Sequence, residues 1–297
     1  MTTATLKTGI QPISTGRRVK DRVVQVLVYL AFLVAVVPLV SVLYLVIKNG
    51  LARFDMEFLT HSMRNIGPND AGGGAYHAIV GTLEQVLLAS LIAVPIGLLT
   101  AVYLVEYSRG GRLARAISFF VDVMTGIPSV VAGLFILAFW ILVLGFEFSG
   151  FAGAMALSIL MMPTVVRATE EMLRLVPMDL REAAFALGVP KWRTIVKVVL
   201  PTALTGIVTG VMLAVARVAG ETAPVLLTVF FTDSINTDPF HGPQMDLPLF
   251  IFSQMQLPNQ TAIDRAWAGA LTLILIVMLL NLLARLISWW RSPVRKG

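Results

Sequence analysis

Six runs of mostly apolar residues leave this chain few ways to fold: 23–47, 77–104, 117–145, 151–166, 203–231 and 267–287. A helix needs about 20 such residues to cross a bilayer, and only the fourth run is short. Each contains or abuts a Gly or Pro. Membrane helices tolerate these because neighbouring helices satisfy the freed backbone groups. Charged residues make up 13% of the chain and hydrophobic ones 57%, whereas soluble domains carry about 25% charge. The expected fold is an all-α membrane protein with six transmembrane helices.

The connections between the runs carry a strong charge bias. Eighteen of the 23 Lys and Arg residues lie in the N-terminal segment, the second-to-third and fourth-to-fifth connections, and the C-terminal end. The alternate connections hold four, Lys48, Arg53, Arg64 and Arg265, and Arg217 falls inside a run. The positive-inside rule then places both termini in the cytoplasm. Residues 1–22 read as a flexible basic tail, 23–47 as the first membrane helix and 286–297 as a second cytoplasmic tail. The first run is too long for a signal-peptide core and lacks a small-x-small cleavage site. The net charge of +6 therefore reports topology, and no basic helix or aromatic platform suggests a nucleic-acid partner.

With no cysteine in the chain, disulfides, iron–sulfur clusters and thiolate metal sites are excluded. His61, His77 and His241 are scattered singly, so no metal site and no cofactor are expected. No Gly-x-x-x-x-Gly-Lys-Ser/Thr loop occurs, and Gly72-Gly73-Gly74 lacks the Lys that would make it one. That glycine run reads as a flexible approach to the second span. Nor does any Ser/His/Asp set or pair of intramembrane carboxylates suggest an enzyme.

One polar stretch, residues 181–201, sits between the fourth and fifth runs. Asp179 and Glu182 have capping-box spacing. Leu180, Ala183, Ala184 and Leu187 make one apolar stripe at helical spacing. Gly188 stands where a left-handed turn ends a helix, and Pro190 suits the first turn of a second. The physical reading is two short amphipathic helices with a glycine bend, able either to lie on lipid or to receive a soluble partner.

The spacing Glu182-Ala183-Ala184, Gly188, Val198, Leu200-Pro201 resembles the EAA signature of ABC-importer permeases, with Val198 where that family usually has Ile. Other stretches are similar to PstA-type permeases of phosphate-specific ABC importers, within the binding-protein-dependent transport permease family. These are Arg167-Ala-Thr-Glu170, Ile127-Pro128-Ser129 with Gly133-Leu134-Phe135, and the run from Ala216 to Pro224 that includes Arg217 and Gly220-Glu221-Thr222. The likeness covers residues 72–285, the expected permease core.

The resemblance implies a type I ABC-importer permease with a cytoplasmic coupling-helix loop between helices 4 and 5. Glu182, Ala183, Ala184 and Gly188 would then couple to a cytoplasmic ATPase dimer. The implied partners are a homologous second permease, that ATPase and an extracytoplasmic phosphate-binding protein meeting the outer loops near 55–70 and 233–264. The implied setting is the bacterial inner membrane, and the implied activity is ATP-driven import of inorganic phosphate. Other oxyanions such as sulfate or molybdate remain open, as does a stand-alone secondary transporter or channel. The last predicts repeated halves with broken helices, and none are legible.

Arg217, expected near the middle of the fifth span, is costly in lipid and calls for a partner or an aqueous cavity. Glu221, four residues on, can neutralise it. Either the two form a structural ion pair or an anion competes with Glu221 for the forked guanidinium. Arg167, at the cytoplasmic end of the fourth span, could receive an anion at the exit or simply set topology.

Overall fold

A computed structural model describes residues 15–108 and 110–291, with side chains for 16–108 and 110–286. The expected tail residues 1–14 and 292–297 lie outside them. Among the described residues the regular structure is entirely helical. The helices are α1 (Thr15–Gly50), α2 (Met56–Thr60), α3 (Tyr76–Val102), α4 (Arg112–Gly126), α5 (Ser129–Ile136) and α6 (Gly150–Arg174). They continue with α7 (Met178–Ala186), α8 (Lys191–Thr194), α9 (Leu200–Val218), α10 (Ala223–Leu226), α11 (Leu247–Met255) and α12 (Gln260–Arg291). Three π-turns extend them, at Tyr103–Tyr107, Leu137–Val143 and Ile195–Val199.

Five stretches are long and apolar enough to span a membrane, and a bent pair makes up to six. The chain divides into two units, 1–48 and 49–297. The described part of the first lies in α1, whose large apolar residues from Val19 to Leu45 are mostly exposed, the pattern of a helix made for lipid. This helix begins at Thr15, so residues 15–22 of the expected tail are its first turns.

Within the second unit, α6 is the central element. The apolar run covers only 151–166, yet the helix runs to Arg174 and is the most buried of the five long spans. Arg167, Glu170 and Arg174 pair with one another along its last turns, which lets a helix with an apolar start continue through charged residues. Small residues line its seam with α3. A Cβ on Gly97 of α3 would lie 2.8 Å from Val165 of α6, and one on Gly153 of α6 would lie 3.1 Å from Gln85 of α3; such residues let membrane helices approach closely. On another side, Gly206 and Gly210 of α9 face Met172 and Ala168 of α6. Because those numbers run in opposite directions, α6 and α9 are antiparallel.

Two expected spans are broken. The third, 117–145, bends by 104° between Arg112–Gly126 and Ser129–Val143. Pro128 sits at this break, and a proline disfavours helical backbone at the residue before it; Ile127 is accordingly extended (φ −71°, ψ 126°). The fifth, 203–231, starts earlier and ends earlier: the helical run is Lys191–Val218. Gly220, a poor helix former, lies in the gap between α9 and α10, and Pro224 sits in the first turn of α10, where its missing N–H is tolerated. Broken helices are thus present in this chain.

The break regions meet. A Cβ placed on Gly133 of α5 would lie 2.6 Å from Pro224 Cα of α10, so only glycine permits this approach. Two stretches that the sequence singled out separately, around 127–135 and 220–224, are packed together here.

At the end of the bundle where α3, α6, α11 and α12 begin, polar clusters order the connections. Arg265, 1% exposed, donates to the carbonyls of Gly72 (3.1 Å) and Asp70, and Arg53 donates to that of Gly73 (2.9 Å). The glycine run is therefore a clamped turn, with Gly72 and Gly73 at φ +104° and +72°, not a flexible approach. Gln244 donates to Glu84 (2.5 Å), Gln85 to the Gln244 carbonyl (3.1 Å), and Asp246 caps α11 by accepting from Leu249 N–H (2.9 Å). Burial pushes the Asp246 carboxyl up to about 7.

Candidate functional site

The segment with the EAA-like spacing folds as α7, a glycine turn and α8. The expected capping box does not form. The helix starts at Met178 with Pro177 as its N-cap and no side-chain cap, because proline at φ −56° already sets the turn and Asp179 falls inside the first turn. There it complements the helix dipole.

The expected C-terminal turn does form. Gly188 has φ +75°. Its N–H donates to Phe185 C=O (2.9 Å), and that of Val189 donates to Ala184 C=O (3.1 Å). This pair of bonds is a Schellman motif.

Three of the four residues of the apolar stripe of α7, Leu180, Ala183 and Leu187, face away from the bundle. Arg181 and Ala184 are its buried residues. Glu182, Ala183 and Gly188 are exposed, as are Leu180 and Leu187, the last at 83%. Of the four expected coupling residues, Ala184 alone packs inward. A helix that turns Leu180 and Leu187 outward and an arginine inward offers an apolar face to something beyond the chain.

Arg181 was counted in the sequence only as one of the loop cations. Its Nε and Nη2 donate to Glu106 Oε1 (3.1 and 2.8 Å), Nη1 donates to Val176 C=O (2.6 Å), and Nη2 donates to Leu173 C=O (2.9 Å). Both side chains of the ion pair are less than a tenth exposed. Nothing in linear spacing links residues 75 positions apart, so this contact was invisible before folding.

The second short helix expected after Gly188 is not separate. From α8 the chain passes through the π-turn Ile195–Val199 into α9 as one helical run, closed by Leu200 N–H to Ile195 C=O. Pro201 cannot donate to the preceding turn, and a π-turn is a common adjustment near such a defect.

Two charged clusters lie along the helices. In the first, Arg167 donates to Asp122 (2.5 Å), Glu170 (2.6 Å) and the Ser118 carbonyl (3.2 Å), while Arg174 also donates to Glu170 (2.6 Å). Asp122 lies on α4, so this network ties α4 to α6. A cleft of about 380 Å³ opens beside it, lined in part by Arg115, Ser118, Asp122, Glu170 and Arg174.

In the second, Arg217 occupies the last turn of α9, which ends at Val218. It therefore stands at a helix end rather than mid-helix, and Glu221 lies past the break. They remain within reach, Nε to Oε1, at 3.7 Å. The Arg217 side chain is 57% exposed and that of Glu221 18%.

The two clusters are not one site. Arg167 adjoins Ala168, which faces Gly210. Arg217 lies seven residues beyond Gly210, about 10 Å along the axis. Among the described residues no cluster of His, Asp and Glu could hold a metal ion.

Residues 93–290 match the family described as the binding-protein-dependent transport system inner membrane component. The chain is 51% identical over 287 residues to the phosphate transport system permease protein PstA 1 of Mycobacterium tuberculosis, covering 96% of this chain and 93% of that protein. It is 41% identical over 285 residues to phosphate transport system permease protein PstA of Yersinia pestis, covering 96% and 95%. Among solved structures, the bacterial alginate ABC transporter in complex with its pentasaccharide-bound periplasmic protein aligns at TM-score 0.63 and 16% identity, over 93% of this chain and 98% of the other. The inward-facing MetNI methionine ABC transporter aligns at 0.57 and 20%, over 74% and 94%. These last two establish a shared fold, that of the type I ABC-importer permeases. The chain belongs to the family of binding-protein-dependent transport system inner membrane components, and its curated relatives within that family are phosphate transport system permeases.

Proposed function

We propose that this chain is the membrane-spanning permease subunit of an ATP-driven importer and passes inorganic phosphate into the cytoplasm. The observation that carries this reading is the 51% identity, over nearly all of both chains, with a phosphate transport system permease. ATP is hydrolysed on a separate ATPase dimer, and the chain itself is not an enzyme. The outward residues of α7, Leu180, Ala183 and Leu187, with Glu182 and Gly188 exposed beside them, suit that dimer as a dock. A homologous second permease completes the pathway, and an extracytoplasmic binding protein delivers the anion. Both termini are cytoplasmic in this reading, supported by the eighteen-to-four distribution of cations.

Arg217 is the favoured anion contact. It makes one loose ion pair and its side chain is 57% exposed, and Arg presents a fork that matches phosphate oxygens. Arg167 is engaged by three acceptors, so it meets the anion only when the exposed Asp122 swings away.

The test is uptake of labelled phosphate or sulfate into vesicles holding the full complex, with and without ATP. ATP-dependent phosphate uptake that excess sulfate does not suppress is expected. Sulfate uptake of equal efficiency refutes the substrate, and uptake without ATP refutes the importer.

A further inference from the structure

Resting on the importer reading above, we propose that the Arg181–Glu106 pair is the joint through which movement of α7 reaches α3 and α6, which makes Arg181 a positioning residue for coupling. The outward face of α7 is where a partner pushes or pulls. Its inward face consists of Ala184, too short to reach another element through polar bonds, and Arg181. The Arg181 guanidinium binds acceptors from three segments at once. They are Leu173 of α6, Val176 in the link to α7, and Glu106 in the π-turn that ends α3. A planar fork can hold several acceptors in fixed geometry, as a lysine ammonium cannot.

Covalent connection alone would not make α7 a lever. Only residues 175–177 link it to α6, and three residues allow α7 to pivot. Arg181 adds a second attachment one turn into α7, so α7, the end of α6 and the end of α3 move together. On its other side α7 leads through the Gly188 turn into the run Lys191–Val218, at the far end of which stands Arg217. A displacement of α7 is thereby divided between α3–α6, which carries the Arg167 network, and α9, which carries the Arg217–Glu221 pair. The carboxylate of the joint lies in a π-turn closed by Ser108 N–H to Tyr103 C=O (2.9 Å), a feature that recurs at functional sites.

A purely structural pair would stabilise the chain without changing how much phosphate moves per ATP, and that ratio is the readout. The complete transporter, reconstituted with its binding protein, is compared as wild type, Glu106→Gln and Arg181→Lys. Glu106→Gln keeps an acceptor oxygen of the same size, and Arg181→Lys keeps the charge but loses the fork. The expected result is an assembled complex that still hydrolyses ATP while phosphate moved per ATP falls about tenfold, the scale of one charge-assisted contact. An unchanged ratio in both variants overturns the proposal. If even Glu106→Gln drops the chain from the complex, the pair is an assembly contact and the proposal also fails. Absence of ATP-driven uptake in the wild type would instead remove the importer reading itself.

Discussion

Replacing Arg217 with Gln separates transport from stability, because the two effects have different magnitudes at this position. The ion pair to Glu221 is one nitrogen–oxygen contact at 3.7 Å, with the Arg side chain 57% exposed. Exposed pairs of this kind contribute about 0–1 kcal/mol. Losing it lowers the melting temperature by no more than about 4 °C, given how such energies scale for larger chains. Phosphate is a different matter. A hydrogen bond to a charged group is worth about 1.5–3 kcal/mol, and about 1.4 kcal/mol is a factor of ten. If Arg217 meets the anion in the rate-limiting passage, Arg217→Gln lowers initial uptake at subsaturating phosphate by about 10- to 100-fold on that scale. Arg217→Lys retains the charge but not the fork, and falls between. The assay is initial-rate uptake of labelled phosphate in vesicles, with assembly and melting temperature measured on the same preparations. Wild-type uptake in both variants, with normal assembly, refutes the reasoning. So does a melting temperature that collapses along with uptake, because Arg217 would then be holding the fold.

Three further outcomes are expected. Gly188→Ala puts a Cβ at φ +75° with nothing within 4 Å, so its cost is the left-handed backbone alone, about 1–2 kcal/mol. Thermal unfolding should show a loss that Gly126→Ala, inside α4 and equally open, does not. Gly133→Ala drives a Cβ against Pro224 Cα; overpacking of this kind costs about 1–3 kcal/mol, and uptake should fall as α10 is displaced beside Glu221. The Asp246 carboxyl is raised by burial from 3.8 to about 7, so between those values the folded chain holds a proton that the unfolded chain releases. Its contribution is complete below about 4 and is lost as pH rises through about 7. Melting temperatures across that window should therefore decline more steeply in wild type than in Asp246→Asn.

The legible parts of this protein are those that depend on local sequence. Apolar run length set the number of spans, and Gly188 named its own turn because few other residues accept a left-handed backbone. The EAA-like spacing located the segment that became α7. Helix ends were less legible: α6 was cut short at 166 because its last turns are charged. Only the pairing of Arg167, Glu170 and Arg174 explains why the helix goes on. The fifth span was drawn through Gly220, which lies in the gap between α9 and α10. The face of α7 was legible in part: the stripe read as open to lipid or a partner keeps Leu180, Ala183 and Leu187 exposed, but nothing local showed that Ala184 and Arg181 turn inward.

By itself, the sequence determined that this chain is a helical membrane protein and the family to which it belongs. Each of these follows from hydropathy, charge or spacing along one segment. Only the tertiary structure decided that Arg181 meets Glu106, that Arg167 is held by three acceptors, and that Arg217 stands exposed at a helix end. Those depend on which segments are brought together, and the energy of a charge in such a place is set by the partners folding supplies, not by its neighbours in the chain.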